Sequence, residues 1–254
     1  GFLGSHVCDS LIEKGYEVTF FDKLKSNFLD RKIKFIKGDI TDFNSVLRSV
    51  KGKNIVYNFA ALSNLTKAIN EPLGTINNNI VGTYNILESS KRHKVNRVIH
   101  ASTIYAYSDE GGFYRCSKQS AELYVKEYKK KYRLNYTIIR YGSLYGPRSG
   151  EDNQIFKIIK KALKTGKIEY QGSPENIREY IHVIDAAKIA TEVLLKKYSN
   201  QSVIASGHQS MSVKQLLGMI AEILKIKENK IFFNKKKLAG HYKSTPYSHS
   251  KDFD

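Results

Sequence analysis

Two residues four positions apart raise a chemical question: Tyr114 and Lys118, in the stretch "GFYRCSK" at 112–118. On a helix, residues i and i+4 share a face, so phenol and ammonium can point into the same space. A phenol titrates near 10 and is a poor base at neutral pH. Lowering it by about three units needs about 4 kcal/mol of preferential phenolate stabilisation, at about 1.36 kcal/mol per unit. An ammonium roughly 4 to 5 Å away, at an effective dielectric near ~20, supplies energy of that order. Such a pair could move a proton in catalysis, and on a solvated face it would do nothing. Its neighbours decide.

The preceding stretch "VIHASTIYAYS" reads as a strand whose end carries the hydroxyls of Ser102 and Thr103, a natural source for a third partner. A second constellation opens the chain. "GFLGSHV" places two glycines three apart before a helix, and the next strand ends in Asp22. Glycines allow close backbone approach, and a helix N-terminus offers free N–H groups to a pyrophosphate. An acid about 20 positions on can accept both ribose hydroxyls of a dinucleotide. Asp22 would repel a 2′-phosphate, favouring NAD over NADP, and Lys23 beside it offsets that preference.

The elements that position these residues alternate. Helical periodicity in "GSHVCDSLIEKG", "FNSVLRSV", "INNNIVGTYNILESSKRH" and "FYRCSKQSAELYVKEYKKKY" is interleaved with strand-like "YEVTFFD", "KIKFIKGD", "KNIVYNFAA", "VNRVIHAS" and "LNYTIIRYG". This rhythm predicts an α/β fold, a Rossmann-type doubly wound parallel sheet. After "YGPRSG" helices are expected at "NQIFKIIKKALKTG", "VIDAAKIATEVLLKKY" and "SVKQLLGMIAEILKI", with short strands at "KIEYQG", "SVIAS" and "KIFF". They read as a smaller α/β lobe against the carboxyl edge of the sheet, where ligands bind in open α/β folds.

Composition narrows the class. The 254 residues carry a net charge of +18 and contain two cysteines, Cys8 and Cys116, without a metal-binding spacing. No apolar run approaches the roughly 18 residues of a membrane span, and a cytoplasmic protein with reduced thiols is expected. The lysines are scattered through nearly every helix, densest in "KEYKKKYR" (126–133) and "NKKKL" (234–238). No nucleic-acid-binding motif accompanies them, so solvated faces are expected, with neither a nucleic-acid nor a membrane partner. Both ends read as cut: the chain opens on a glycine inside a motif and closes on "SHSKDFD".

Eight motifs in order carry a resemblance: "GFLG", "GDITD" (38–42), "NFAA" (58–61), "NIVGT" (79–83), "ASTIYAY" (101–107), "YRCSK" (114–118), "RYGSLYGPR" (140–148) and "REYIHVIDAA" (178–187). Over roughly residues 1–190 the chain resembles the extended short-chain dehydrogenase/reductase family. Within it, the resemblance is to nucleotide-sugar epimerases and dehydratases of the UDP-glucose 4-epimerase type. The resemblance implies an NAD-binding Rossmann domain over 1–147, its N-terminal strand missing. A mainly substrate-binding lobe follows over 148–254, truncated at its C-terminus, with 178–197 packing back on the first domain. It implies NAD as cofactor, a nucleotide-diphosphate sugar as substrate and a homodimer formed through a four-helix contact.

Residue by residue, the likeness places Gly1, Phe2, Leu3 and Gly4 along the pyrophosphate, Asp22 on the adenosine ribose, and Asp39 with Ile40 beside the adenine. Phe59, Ala60 and Ala61 would lie beneath the cofactor, and Asn79 would brace the active-site strand. Tyr114 becomes the acid/base, Lys118 its tuning partner and a ribose ligand, and Thr103 the hydroxyl that holds the substrate. Arg178 is implied as the diphosphate ligand, with Ser143 and Asn153 as further substrate contacts; Ser143 stands where related epimerases often carry asparagine. Arg140 is expected in a buried ion pair and His182 at a helix cap. The segment "HYKSTPYS" (241–248) carries no assignment. The implied reaction is NAD-dependent epimerisation, at C4, through a transient keto-sugar, for surface-polysaccharide precursors. The alternatives are a 4,6-dehydratase, a sugar reductase or, more distantly, a non-enzymatic dinucleotide sensor. Dehydratases of this type carry Asp-Glu after the catalytic threonine; here Ile104 and Tyr105 follow Thr103, and no cation to activate Tyr105 is legible.

Overall fold

The computed structural model describes residues 1–30, 33–234 and 241–246. Residues 235–238 of the second lysine run and 247–248 of "HYKSTPYS" lie outside the described residues. The chain begins with α1 (Phe2–Glu13), β1 (Thr19–Asp22), β2 (Lys34–Lys37), α2 (Phe43–Val50) and β3 (Ile55–Asn58). It continues through α3 (Leu65–Asn70), α4 (Pro72–Thr75), α5 (Gly82–Arg92), β4 (Arg97–Thr103), α6 (Gly112–Tyr132) and β5 (Asn135–Tyr141). Then come β6 (Ser143–Tyr145), α7 (Gln154–Thr165), β7 (Ile168–Gln171), β8 (Ile177–His182), α8 (Val183–Glu192), β9 (Gln201–Ala205), β10 (Ser210–Ser212), α9 (Val213–Ile223) and β11 (Ile231–Asn234).

Strands β3, β4, β5 and β9 form a parallel sheet in that order, and β1 pairs with β2 in a separate parallel ribbon. Successive strand residues face opposite sides. Ile99 and Ile139 therefore enter one core with Val7 and Leu11 of α1 and Ala186, Ala187 and Ala190 of α8. Their neighbours Val98 and Ile138 enter the other, with Val46 of α2, Leu87 of α5 and Val125 of α6. Helices cover both faces, as a doubly wound sheet requires. A third core joins α7, β7, α9 and β11 through Ile158, Ile168, Leu217, Ile220 and Phe233. Among the described residues no helix is long and apolar enough to cross a membrane.

Two departures from the expected elements matter for the site. The long helix expected over 76–93 contains a π-turn at Ile76–Val81 before α5. Within it Asn79 is 1% exposed and turned inward. The second departure is a three-stranded sheet of β10, β8 and β6; β6 and β8 are legible in the sequence only as motifs, and β10 is not legible as a strand. Strand β8 buries Arg178 and Glu179, so it lacks the apolar alternation that marks a half-buried strand.

Tyr114 owes its position to the entry of α6. Gly111 and Gly112 adopt φ of 105° and 50°, values that L side chains rarely reach. A Cβ on Gly111 would lie 2.8 Å from the Tyr105 ring. The glycine pair thus turns the chain sharply and lets Tyr105 approach the first turn of the helix.

Candidate active site

The carboxyl end of β4 and the first turns of α6 meet at a buried cluster. Thr103, Tyr114 and Lys118 are 6%, 9% and 4% exposed. Thr103 is hydrogen-bonded to the Tyr114 phenol. Lys118 Nζ donates to the Ala101 carbonyl at 2.8 Å, so the α6 face lies along the strand end as the i, i+4 spacing predicts. Behind them Glu122, one further turn along α6, accepts from Ser102 Oγ at 2.5 Å and from Arg140 Nε at 2.9 Å and Nη2 at 2.5 Å. The Arg140 guanidinium also lies 4.4 Å from the Tyr107 ring centre. The ion pair expected of Arg140 is present, and its partner is Glu122.

One expectation is corrected. Lys118 does not lower the Tyr114 phenol: burial pushes it up to about 12, and the Thr103 hydrogen bond is what opposes this. Lys118 is itself brought down to about 8 by burial, against the attraction of Glu122. Burial takes both groups out of water and disfavours the charged form of each, and the ammonium is engaged by the Ala101 carbonyl. The protein's own groups therefore leave Tyr114 a neutral phenol at physiological pH.

The candidate cofactor residues gather around the N-terminus of α1. Gly4 lies in the first turn of α1, where a Cβ would meet nothing within 4 Å, so close approach of a ligand is unobstructed there. Asp22 ends β1, beside the start of α1. Free helix amides, an open glycine and an adjacent acid fit a dinucleotide's pyrophosphate and ribose. Lys23, expected to offset Asp22, instead pairs with Asp39 at 2.9 Å. If Asp22 takes the adenosine ribose as the resemblance implies, Asp22→Ala should narrow a preference for NAD over NADP in paired affinity titrations. Equal affinities in the unsubstituted protein would refute that role.

The side chains of most other candidates have partners within the protein. Phe2 makes an edge contact with His6, and Leu3 packs on the α1–α8 core. Ile40 is 6% exposed, with its side chain in the core beneath α5. Phe59 stacks on Tyr57 with ring centres 5.8 Å apart, while Ala60 is exposed and Ala61 half-buried. Asn79 braces a different element from the strand expected. Its Oδ1 accepts from Leu62 N at 2.7 Å, and its Nδ2 donates to Leu62 O at 3.1 Å and to Ser117 Oγ at 2.9 Å. It ties the loop after β3 to α6, which leaves its amide spent within the protein.

Beside this cluster opens a cleft of about 940 Å³ between the main sheet and the third core. Thr103, Tyr114, Ser143, Asn153 and Arg178 all line it. Asn153, however, spends its side chain on structure: its Oδ1 caps α7 at Phe156 N, 3.1 Å, and its Nδ2 donates to Leu144 O at 2.8 Å. Ser143 is hydrogen-bonded to Tyr242. Arg178 donates to its neighbour's carbonyl, Ile177 O, at 2.7 Å and has its guanidinium 4.1 Å from the Tyr242 ring centre. His182 caps α8, its Nδ1 accepting from Ile184 N at 3.4 Å. The sequence reading missed Tyr141, whose buried hydroxyl has no hydrogen-bond partner among the described residues and whose residue lines the cleft. It also left His241 and Tyr242 unassigned, although both line the cleft.

A doubly wound sheet with this Tyr/Lys/Thr cluster at its carboxyl edge defines a dinucleotide-dependent enzyme of the short-chain dehydrogenase/reductase type. The chain belongs to the NAD dependent epimerase/dehydratase family, whose sequence model matches residues 1–205. It is 29% identical over 241 residues to a Methanocaldococcus jannaschii protein provisionally assigned as a UDP-glucose 4-epimerase, the match covering 87% of this chain and 78% of that protein. It is 30% identical over 227 residues to an Arabidopsis thaliana trifunctional UDP-glucose 4,6-dehydratase/UDP-4-keto-6-deoxy-D-glucose 3,5-epimerase/UDP-4-keto-L-rhamnose-reductase, covering 78% of this chain and 34% of that one. Among solved structures it resembles the Thermotoga maritima UDP-glucose 4-epimerase with UDP-glucose: TM-score 0.88, 27% identity, covering 99% of this chain and 88% of that chain.

Proposed function

We propose that the protein is an NAD-dependent C4 epimerase of a nucleotide-diphosphate sugar. Residues 1–147 hold mainly the cofactor and residues 148–254 mainly the sugar nucleotide. The observation that carries this reading is the Thr103–Tyr114–Lys118 cluster opening into a cleft that also presents Arg178. A guanidinium can grip a diphosphate bidentately, which would bring the attached hexose to the phenol.

Tyr114 takes the proton from the C4 hydroxyl and later returns it. Thr103 holds the same oxygen by hydrogen bond, and Lys118 fixes the position of the phenol and the cofactor ribose. When bound, NAD supplies the hydride acceptor and a positive ring that favours the phenolate. The protein must then let the keto-sugar turn in the cleft before C4 is reduced from the other side.

A dehydratase would need an acid and a base beside the 4-keto sugar. Thr103 is followed by Ile104, which transfers no proton, and by Tyr105, whose phenol is raised by burial despite the nearby Arg178. The carboxylates among the described cleft-lining residues are Asp152, bonded by Asn64 at 3.0 Å, and Glu169, paired with Lys161 at 2.6 Å. These placements favour re-reduction over elimination. Incubation with NAD and a panel of UDP-, GDP-, CDP- and dTDP-sugars, followed by NMR, should yield a C4-inverted product. Accumulation of a 4-keto-6-deoxy sugar would instead establish the dehydratase.

A further inference from the structure

The cleft has two chemically distinct ends, the Tyr114 phenol and the Arg178 guanidinium, and an aromatic ladder runs between them. Tyr114 and Tyr105 meet edge to face with ring centres 6.5 Å apart. Tyr105 and Tyr242 are 4.9 Å apart, and Arg178 stands 4.1 Å from Tyr242. Any molecule with its diphosphate on Arg178 and a hydroxyl at Tyr114 must lay the intervening sugar along Tyr105.

Tyr105 does not stand alone there. His241 Nδ1 lies 3.2 Å from the Tyr105 hydroxyl, and both residues line the cleft. The segment that brings in His241 is anchored to β8, where Lys243 O accepts from Ile177 N at 2.8 Å. Burial holds both partners uncharged. The Tyr105 phenol is raised by burial and by Tyr242, Tyr114 and Tyr170, against Arg178; the His241 imidazole is lowered by burial and Arg178, against Glu110. A neutral phenol donating to Nδ1 leaves the phenolic oxygen lone pairs and the imidazole Nε2–H for a ligand. One acceptor and one donor suit the alternating functions of vicinal sugar hydroxyls.

We propose that Tyr105 and His241 form a positioning pair that holds the hexose ring between the reacting hydroxyl at Tyr114 and the diphosphate at Arg178. This rests on the epimerase reading above. The pair contacts the sugar and leaves the nucleotide untouched, so its loss separates the two halves of the ligand.

The test compares UDP with UDP-glucose, and dTDP with dTDP-glucose, by calorimetry on the NAD-loaded protein. Tyr105→Phe keeps the ring contacts and removes only the hydroxyl; His241→Ala removes the other partner. Each should weaken the sugar nucleotide about tenfold, the worth of a neutral hydrogen bond left unmade, while the plain nucleotide and NAD bind as before. KM should rise by about the same factor with kcat within about threefold, the pattern of a uniform binding contact. The double variant should lose about tenfold, not a hundredfold, because the two residues act as one unit. Equal weakening of nucleotide and sugar nucleotide would overturn the proposal, since the pair would then only prop Tyr242 against Arg178. Unchanged binding in both variants, or fully additive losses, would overturn it too. If the unsubstituted protein binds NAD but no member of the UDP-, GDP-, CDP- and dTDP-sugar panel, the epimerase reading itself falls, a result distinct from failure of the pair.

Discussion

Replacing Tyr114 with phenylalanine is expected to lower turnover by about 10²- to 10⁴-fold, the usual worth of a positioned acid/base. NAD affinity should be nearly unchanged, because the ring stays and only the hydroxyl bonded by Thr103 is lost. The phenol is raised to about 12 by burial, so the protein's own groups do not make it a base at neutral pH. In the proposed reaction the charge of the oxidised cofactor favours the phenolate, and the variant removes the only group proposed to accept the proton. Single-turnover rates with the sugar nucleotide identified by the panel would check this. Retention of more than about a tenth of the rate would remove Tyr114 from the mechanism, given that same range.

The second large effect is on stability. Glu122→Ala should destabilise the fold by about 3–5 kcal/mol, the usual result of removing one partner of a buried ion pair. Both side chains are shielded, 11% exposed for Arg140 and 6% for Glu122, so solvent screens the interaction little. The substitution strands the Arg140 guanidinium, deprives Ser102 Oγ of its acceptor, and takes away the charge that opposes the lowering of Lys118. Glu122→Gln keeps an acceptor and should cost less. Urea unfolding curves would give both values. A loss below about 1 kcal/mol for alanine would mean that the pair behaves like an exposed one.

Much of this was legible in the sequence because local rules sufficed. The Tyr114/Lys118 face follows from helical spacing, and the doubly wound sheet follows from the alternation of helix and strand. Asp22 at a strand end and Arg140 in a buried pair were read from position and type. What the sequence hid was tertiary. The energy balance at Tyr114 depends on how deeply the pair is buried, and spacing carries no information on depth. The Lys23–Asp39 pair joins the ends of two different strands, so the adjacency of Lys23 to Asp22 misled. Strand β8 was obscured by the charges it buries. His241 reaches Tyr105 across 136 residues of chain, a contact that no local pattern announces.

The most direct test of the central claim follows the atom at C4. A nucleotide sugar carrying deuterium at C4, incubated with the protein and NAD, should give the C4-inverted sugar with the deuterium still at C4. Oxidation and re-reduction then occur at one carbon within one cleft, and the proton handled by Tyr114 is on oxygen, so solvent hydrogen does not enter. Deuterium found at C6 of a 4-keto-6-deoxy product, or lost to solvent, would contradict the account.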